Sequence, residues 1–366
     1  MEVIVIGSSV AGASLAYLLA RSGIEVKVYE SKSRKDVGKK VCANVYTFMI
    51  KDILKDFSIN PQKLIKNHYS NLRVFSKNNQ ASFMTEEYEF DRSKLLETLI
   101  RNAEKKGAKF IFNANFIDFS RKNEKFILKL KKEKPIVDSC DVLVGADGAL
   151  SEVAKRAGLW QNRKFFLTLQ ARVSKQQIKN KKYIPPKNSY NILLGEDYGY
   201  YSYIFSSKEG FVVGLGDRPE KNVRKEFGNL LKFLNIKKAR IEGALFPEPK
   251  VLKLKKGIFL IGDAGCQIKF NGGGVIPAFM AARAIKEILV KGDWKDYNKM
   301  NSRIRLNRIA VKFFEKMSDK RADNLLDIVK EKKFEKFPKY RDYLSKEDLR
   351  KLFSPGLMAS IIRMFI

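Results

Sequence analysis

The chain has 366 residues, 45% of them hydrophobic, enough to bury one large core or two medium ones. Its single histidine, His68, excludes a histidine metal cage and argues against a Ser-His-Asp triad, while Cys42, Cys140 and Cys266 form no CxxC pair that would hold zinc or an iron–sulfur cluster. The formal net charge of +32 suits anionic partners, whether phosphorylated substrates, anionic lipid or nucleic acid, or is plain enrichment in lysine.

A strand-like run, Glu2-Val-Ile-Val-Ile-Gly7, follows Met1 directly, so no secretory leader is expected. No uninterrupted apolar stretch reaches the roughly 18 residues that span a bilayer. The expected location is cytoplasmic, either free or peripheral at the inner face of a membrane.

In chain order, the first 30 residues predict a βαβ unit. Val3 to Ile6 form a buried strand, and Leu15, Leu18 and Leu19 make an apolar helical stripe that Gly23 closes. Val26 to Tyr29 form the next strand. Leu72 to Phe75 and Ala81 to Met84 flank Asn78-Asn79, a hairpin pattern, and a helix is predicted over Ser93 to Lys106. Residues 165–247 alternate as strands, with one helix near Val223 to Leu234, which predicts a mostly antiparallel sheet. From Gly257 the α/β style returns, with a strand at Ile258 to Ile261 and a helix from about Val275 to Leu289. Past Asp293 the chain reads as basic helix, with Ile309, Phe313 and Met317 four residues apart. Ser345 and Asp348 form a capping-box pattern, and an apolar end runs from Pro355 to Ile366.

Three glycine-bearing turns carry the chemistry. Gly7-Ser-Ser9-Val-Ala-Gly12 links strand to helix, the context of a dinucleotide fingerprint. Gly7 permits the turn, Gly12 lets helix and strand pack, and the helix N-terminus offers N–H groups to a pyrophosphate. Ser9 takes the middle glycine's place, and Glu30 closes the second strand, where a carboxylate can accept ribose hydroxyls. This turn alone does not separate NAD from FAD. Two later strands end in Ala146-Asp147-Gly148 and in Gly262-Asp263-Ala264-Gly265, and the trio in this order is far more specific than any one of them.

With these motifs the chain resembles the geranylgeranyl reductase family of flavoproteins, in particular the archaeal digeranylgeranylglycerophospholipid reductase type, within a wider group that includes aromatic hydroxylases. Gly262-Asp-Ala-Gly-Cys-Gln267-Ile-Lys269-Phe-Asn-Gly272-Gly273-Gly274 resembles the family segment with Gln-x-Lys and a triple glycine. Lys40-Val41-Cys42-Ala43 resembles Lys-x-Cys-Gly, and Phe90-Asp91-Arg92 resembles the family's Asp-Arg helix entry. Tyr201-Ser-Tyr203-Ile-Phe205 resembles the substrate strand. The chain departs from the family at Ser9, Ala43, Tyr203, Ser206 and Phe270, where Gly, Gly, Trp, Pro and Pro are usual.

The resemblance implies an α/β fold, with a Rossmann-type FAD-binding domain (1–68, 91–163 and 248–293), a mostly antiparallel substrate domain (69–90 and 164–247), and a basic C-terminal helical region (294–366). It implies FAD contacts from Gly7, Ser9, Gly12, Glu30, Cys42, Ala43, Arg92, Asp147, Gly148, Gly262, Asp263 and Gly272 to Gly274, with Asp263 on the ribityl chain. Near Gly272 to Gly274 a helix dipole would favour the anionic reduced flavin. Tyr201, Tyr203 and Phe205 would line a dry tunnel, with Tyr198 and Tyr200 as further candidates, and Cys42 is the candidate proton donor or a small contact without chemistry. The implied reaction saturates C=C bonds of a prenyl chain in an isoprenoid lipid or quinone, by hydride from reduced flavin N5. The external donor is NAD(P)H or a ferredoxin, since no second fingerprint is present. The rival reading is a monooxygenase of an aromatic or quinone substrate, against which stand Cys266 and Phe270 where such enzymes usually carry His and Pro. A nucleic-acid-binding flavoprotein is disfavoured because no basic-aromatic module is recognisable, and a non-catalytic lipid-binding protein is the remaining reading. The basic tail suits contact with an anionic membrane, where each surface lysine adds about 1 kcal/mol.

Overall fold

A computed structural model of the chain describes residues 1–160 and 162–331. Three sheets organise it. The first is a five-stranded parallel sheet in the order Ile258–Leu260, Val142–Gly145, Glu2–Ile6, Glu25–Tyr29, Lys109–Ile111. Its strands are short and rich in Val, Ile and Leu because both faces are covered. Helices Val10–Arg21, Arg92–Glu104 and Val275–Lys291 bury their apolar stripes on one face.

The other face is covered by a three-stranded antiparallel sheet, Asn115–Lys122, Lys125–Lys131 and Pro135–Cys140, which the sequence reading did not anticipate. Phe126, Leu128 and Leu130 point inward onto Ile4, Ile6 and Leu143, while Lys125, Lys129 and Lys131 face out.

The eight-stranded sheet runs Ile241–Pro247, Phe165–Val173, Phe211–Asp217, Tyr201–Ser206, Ser189–Leu193, Ile65–Phe75, Gln80–Phe90, Val45–Thr47. Every neighbouring pair is antiparallel except Ser189–Leu193 with Ile65–Phe75. The hairpin expected around Asn78-Asn79 is present, with its strands extended to Ile65 and Phe90. Helix Val223–Phe233 covers one face through Phe227 and Leu230, against Leu169, Val213 and Leu215.

The basic C-terminal region begins with helices Lys295–Phe314 and Asp319–Glu331, which pack back on the body. Phe314 stacks on Phe270 with ring centroids 5.0 Å apart, and Ala322 and Leu326 are buried against the eight-stranded sheet. The Ser345–Asp348 capping pattern and the apolar end at 355–366 lie outside the described residues. Among the described residues no helix is long and apolar enough to cross a membrane, and no acidic, histidine or cysteine cluster could hold a metal.

Candidate functional site

One cavity of about 2200 Å³ runs between the carboxyl ends of the parallel strands and the eight-stranded sheet. Small-molecule sites are usually about 300–1,000 Å³, so this one has room for a dinucleotide and a second large ligand. Of the cofactor and substrate contacts expected from sequence, all but Gly12 and Tyr198 line it. Gly12 supports the site from behind: a Cβ there would collide with the Gly7 carbonyl and meet Ala146 Cβ at 3.2 Å.

At the glycine end, Gly7 (φ +100°) and Gly262 (φ +64°) turn the chain out of the strands. A side chain at Gly7 would strike the Ala146 carbonyl. Helix Val10–Arg21, entered through Ser9, and helix Val275–Lys291, entered through Gly274, begin without side-chain caps. By contrast, Asp91, Ser151 and Asn222 cap the helices they precede. The two uncapped ends leave N–H donors and positive dipole ends at the cavity wall.

Glu30 holds the second strand's end in place more fully than sequence suggested. The Ser8 N–H (2.8 Å) and hydroxyl (2.9 Å) donate to one carboxylate oxygen, and the Lys32 N–H (2.9 Å) and Ser31 hydroxyl (3.2 Å) donate to the other. A carboxylate has about four acceptor sites, so ribose hydroxyls would take the places of the two rotatable serine hydroxyls.

Four polar atoms of lining residues stand buried without hydrogen-bond partners: the Asn44 Oδ1, the Tyr46 hydroxyl, the Arg92 Nε and the Asp147 Oδ1. Burial works against the Arg92 charge, yet Tyr46, Cys42 and Asp263 nearby keep its pKa above the usual arginine value. Asp147 accepts from the Val153 N–H at 3.1 Å through Oδ2, and burial raises its carboxyl pKa. Asp263 pairs with Lys40 at 2.7 Å. Gly272 to Gly274 are glycines because larger residues would meet the Phe246 ring, the buried Lys269 stem and the Asp263 carboxylate respectively. Behind them Gln267 accepts from the Gly262 N–H at 2.9 Å and donates to the Leu260 carbonyl at 3.1 Å, bracing the turn.

The rest of the lining is apolar and aromatic. Strand alternation turns Tyr201, Tyr203 and Phe205 to the cavity and Ile204 to the opposite core. Tyr201 lies across Gly216 and Tyr203 across Gly214, their register partners, and a Cβ at Gly214 would collide with the Tyr203 ring. Those glycines are the sequence signal for the aromatic floor. Tyr203 donates to the Gln170 Oε1 at 3.3 Å, and burial pushes the Tyr201 hydroxyl up to about 12. Tyr200 lines the cavity and donates to the Phe270 carbonyl. Tyr198, also expected there, instead packs on Phe233 in the core on the other face. Cys42 is half-buried on the lining, its Sγ accepting from the Asn44 N–H at 3.3 Å, whereas Cys140 and Cys266 are buried and burial raises their thiols to about 12 and about 11. Sequence reasoning missed Gln170, Tyr190, Val74 and the whole wall from the C-terminal helices, including Phe313, Leu326 and Val329.

Fold and site together define a dinucleotide-binding α/β protein with a large apolar annex. The FAD binding domain family matches residues 1–199, and the chain belongs to that family; it is an FAD-dependent oxidoreductase. Its relatives include the chloroplastic geranylgeranyl diphosphate reductase of Oryza sativa, 26% identical over 322 residues, 80% of this chain and 67% of that protein. The digeranylgeranylglycerophospholipid reductase of Methanothrix thermoacetophila is 24% identical over 79% of this chain and 77% of its own. Among solved structures, a geranylgeranyl bacteriochlorophyll reductase-like protein of Thermoplasma acidophilum has a TM-score of 0.76 at 21% identity, covering 90% of this chain and 91% of that one. The p-nitrophenol 4-monooxygenase of Pseudomonas putida shares the fold at a TM-score of 0.66 and 14% identity, covering 89% and 93%.

The residues present fit FAD. The orphaned Arg92 Nε and Asp147 Oδ1, the two uncapped helix ends and the glycines that keep side chains out of the same wall supply donors, an acceptor and space for it.

Proposed function

We propose that this protein reduces C=C bonds in the prenyl chain of an isoprenoid lipid or quinone. The observation that carries the reading is the continuity of the cavity, from the glycine turns and Arg92 directly onto the floor of Tyr201, Tyr203 and Phe205. The names of the relatives point the same way.

In this reading Gly7, Ser9, Glu30, Arg92, Asp147, Gly148, Gly262, Asp263 and Gly272 to Gly274 hold FAD, which supplies a hydride when bound in its reduced form. Cys42 and Ala43 lie beside it. An isolated alkene develops little charge for polar groups to grip, so positioning and exclusion of water carry much of the catalysis. The aromatic floor supplies both. Hydride addition to one alkene carbon leaves a proton to be added at the other, and in this reading the Cys42 thiol, whose sulfur accepts from the Asn44 N–H, would supply it. The reductant is external, either NAD(P)H or a ferredoxin; adding each anaerobically to the oxidised protein and watching the flavin bleach separates them. The expected site of action is the cytoplasmic face of an anionic membrane, tested by liposome binding with and without residues 355–366.

The test of function is anaerobic. Chemically reduced protein is mixed with geranylgeranyl lipids or with phenolic substrates, and flavin reoxidation is followed by absorbance. Reoxidation by the prenyl compounds alone supports the reading. Reoxidation only with oxygen and a phenol overturns it in favour of monooxygenation.

A further inference from the structure

The apolar half of the cavity is closed by a segment to which the reaction itself gives no task. Helix Asp319–Glu331 contributes Leu325, Leu326, Ile328 and Val329 to the lining. Leu326 and Ala322 are fully buried in one cluster with Val74, Phe83, Tyr190 and Phe205 of the sheet. The hydrocarbon part of any ligand therefore lies between an aromatic sheet face and this helix.

The helix is also fixed in register. Asp319, Asp323 and Asp327 recur every four residues and so share one stripe. Asp323 accepts from the Ser76 hydroxyl (2.5 Å), the Asn78 N–H (3.1 Å) and the Asn78 amide nitrogen (2.7 Å). Asp327 accepts from the Asn79 side-chain amide nitrogen at 2.9 Å, and Lys330 donates to the Asn79 Oδ1 at 2.9 Å. Asp319 pairs with Lys77 at 2.8 Å and accepts from the Glu196 N–H at 2.9 Å. This ladder ties the helix along its length to the hairpin turn at 76–79, so its apolar residues stand at set depths. From Leu325 to Val329 they cover about 6 Å of wall.

We propose that helix Asp319–Glu331 is the chain-length gauge of this site: Leu325, Leu326 and Val329 decide how long a hydrocarbon chain the cavity accepts. The inference rests on the prenyl-reductase reading for the identity of the chain, and its test uses chains that cannot react.

Affinities of the flavin-loaded protein are measured for a ten-carbon and a twenty-carbon n-alkyl phosphate, in wild type, Val329→Trp and Leu325→Ala. Each methylene kept out of an apolar site costs about fourfold in affinity. A tryptophan displacing two methylenes should therefore cut the preference for the long chain about fifteenfold, whereas Leu325→Ala should increase it. Retention of the flavin absorbance reports that each variant is folded, and Leu325→Ala, which only removes atoms, keeps the test open if the tryptophan variant does not fold. A long-to-short ratio that stays within twofold of wild type in the folded variants overturns the proposal. If the ratio shifts as expected but no prenyl compound reoxidises the flavin, the gauge stands and the reductase reading fails. If prenyl compounds reoxidise the flavin and the ratio does not shift, the gauge fails alone.

Discussion

Replacing Arg92 with methionine separates a residue that waits for a ligand from one that holds the fold. The Arg92 Nε is buried on the cavity wall without a partner. A buried donor left unmade costs about 1–3 kcal/mol, and a hydrogen bond to a charged group contributes about 1.5–3 kcal/mol once formed. In the apoprotein Arg92→Met removes the unmet donor and opposes this gain with lost attraction to Tyr46, Cys42 and Asp263. The apoprotein should therefore be no less stable than wild type in urea denaturation. FAD binding, by contrast, loses the charged hydrogen bond, and its Kd should rise about 10- to 150-fold. Arg92→Lys, which keeps the charge but not the fork, should fall between. Apoprotein that is much less stable than wild type, with FAD affinity within twofold, would refute the reasoning and make Arg92 structural.

Three further substitutions test other parts of the site. Gly214→Ala forces the Tyr203 ring aside, and overpacking of this kind costs about 1–3 kcal/mol; the denaturation midpoint should drop and prenyl substrates should bind less well, with FAD affinity retained. Glu30→Gln replaces one oxygen by an NH₂ that must face either the Ser8 or the Lys32 N–H; a buried donor loses its acceptor, for about 1–3 kcal/mol of stability. The carboxyl pKa of Asp147 is raised by burial, so its contribution to stability is full below the ordinary aspartate value near 3.9 and is lost as pH rises through the higher folded value. Asp147→Asn keeps an acceptor for the Val153 N–H without that loss, so apoprotein stability compared across pH should favour the variant increasingly from acid to neutral. A difference that is flat with pH would contradict this.

The glycine turns were legible in the sequence because each reflects a local backbone demand. Gly7 and Gly262 need positive φ, and Gly12 allows helix and strand to touch. The face of Tyr201, Tyr203 and Phe205 was legible from strand alternation, and the same alternation put Tyr198 at risk, since it precedes the strand in a short turn and faces the other core. The three-stranded sheet at 115–140 carries its own alternation in Lys125-Phe126-Ile-Leu128-Lys-Leu130, but its many lysines hide it among solvated charge. The fourfold use of Glu30 was not legible, because it depends on which hydroxyls reach the carboxylate in space. The wall at Leu325, Leu326 and Val329 meets strands more than two hundred residues earlier in the chain, as the bond between Ser76 and Asp323 shows. A single sequence holds no record of that pairing.

The central claim is that electrons leave this cavity as hydride to a prenyl double bond. Its most direct test is the mass of the product from one anaerobic turnover of reduced protein with a geranylgeranyl lipid, repeated in deuterated water. The account predicts the gain of two hydrogens per double bond, both of them deuterium in deuterated water, because a reduced flavin's N5–H and a donated proton both come from groups that exchange with solvent. An unchanged lipid, or a product gaining oxygen only when air is admitted, would contradict it.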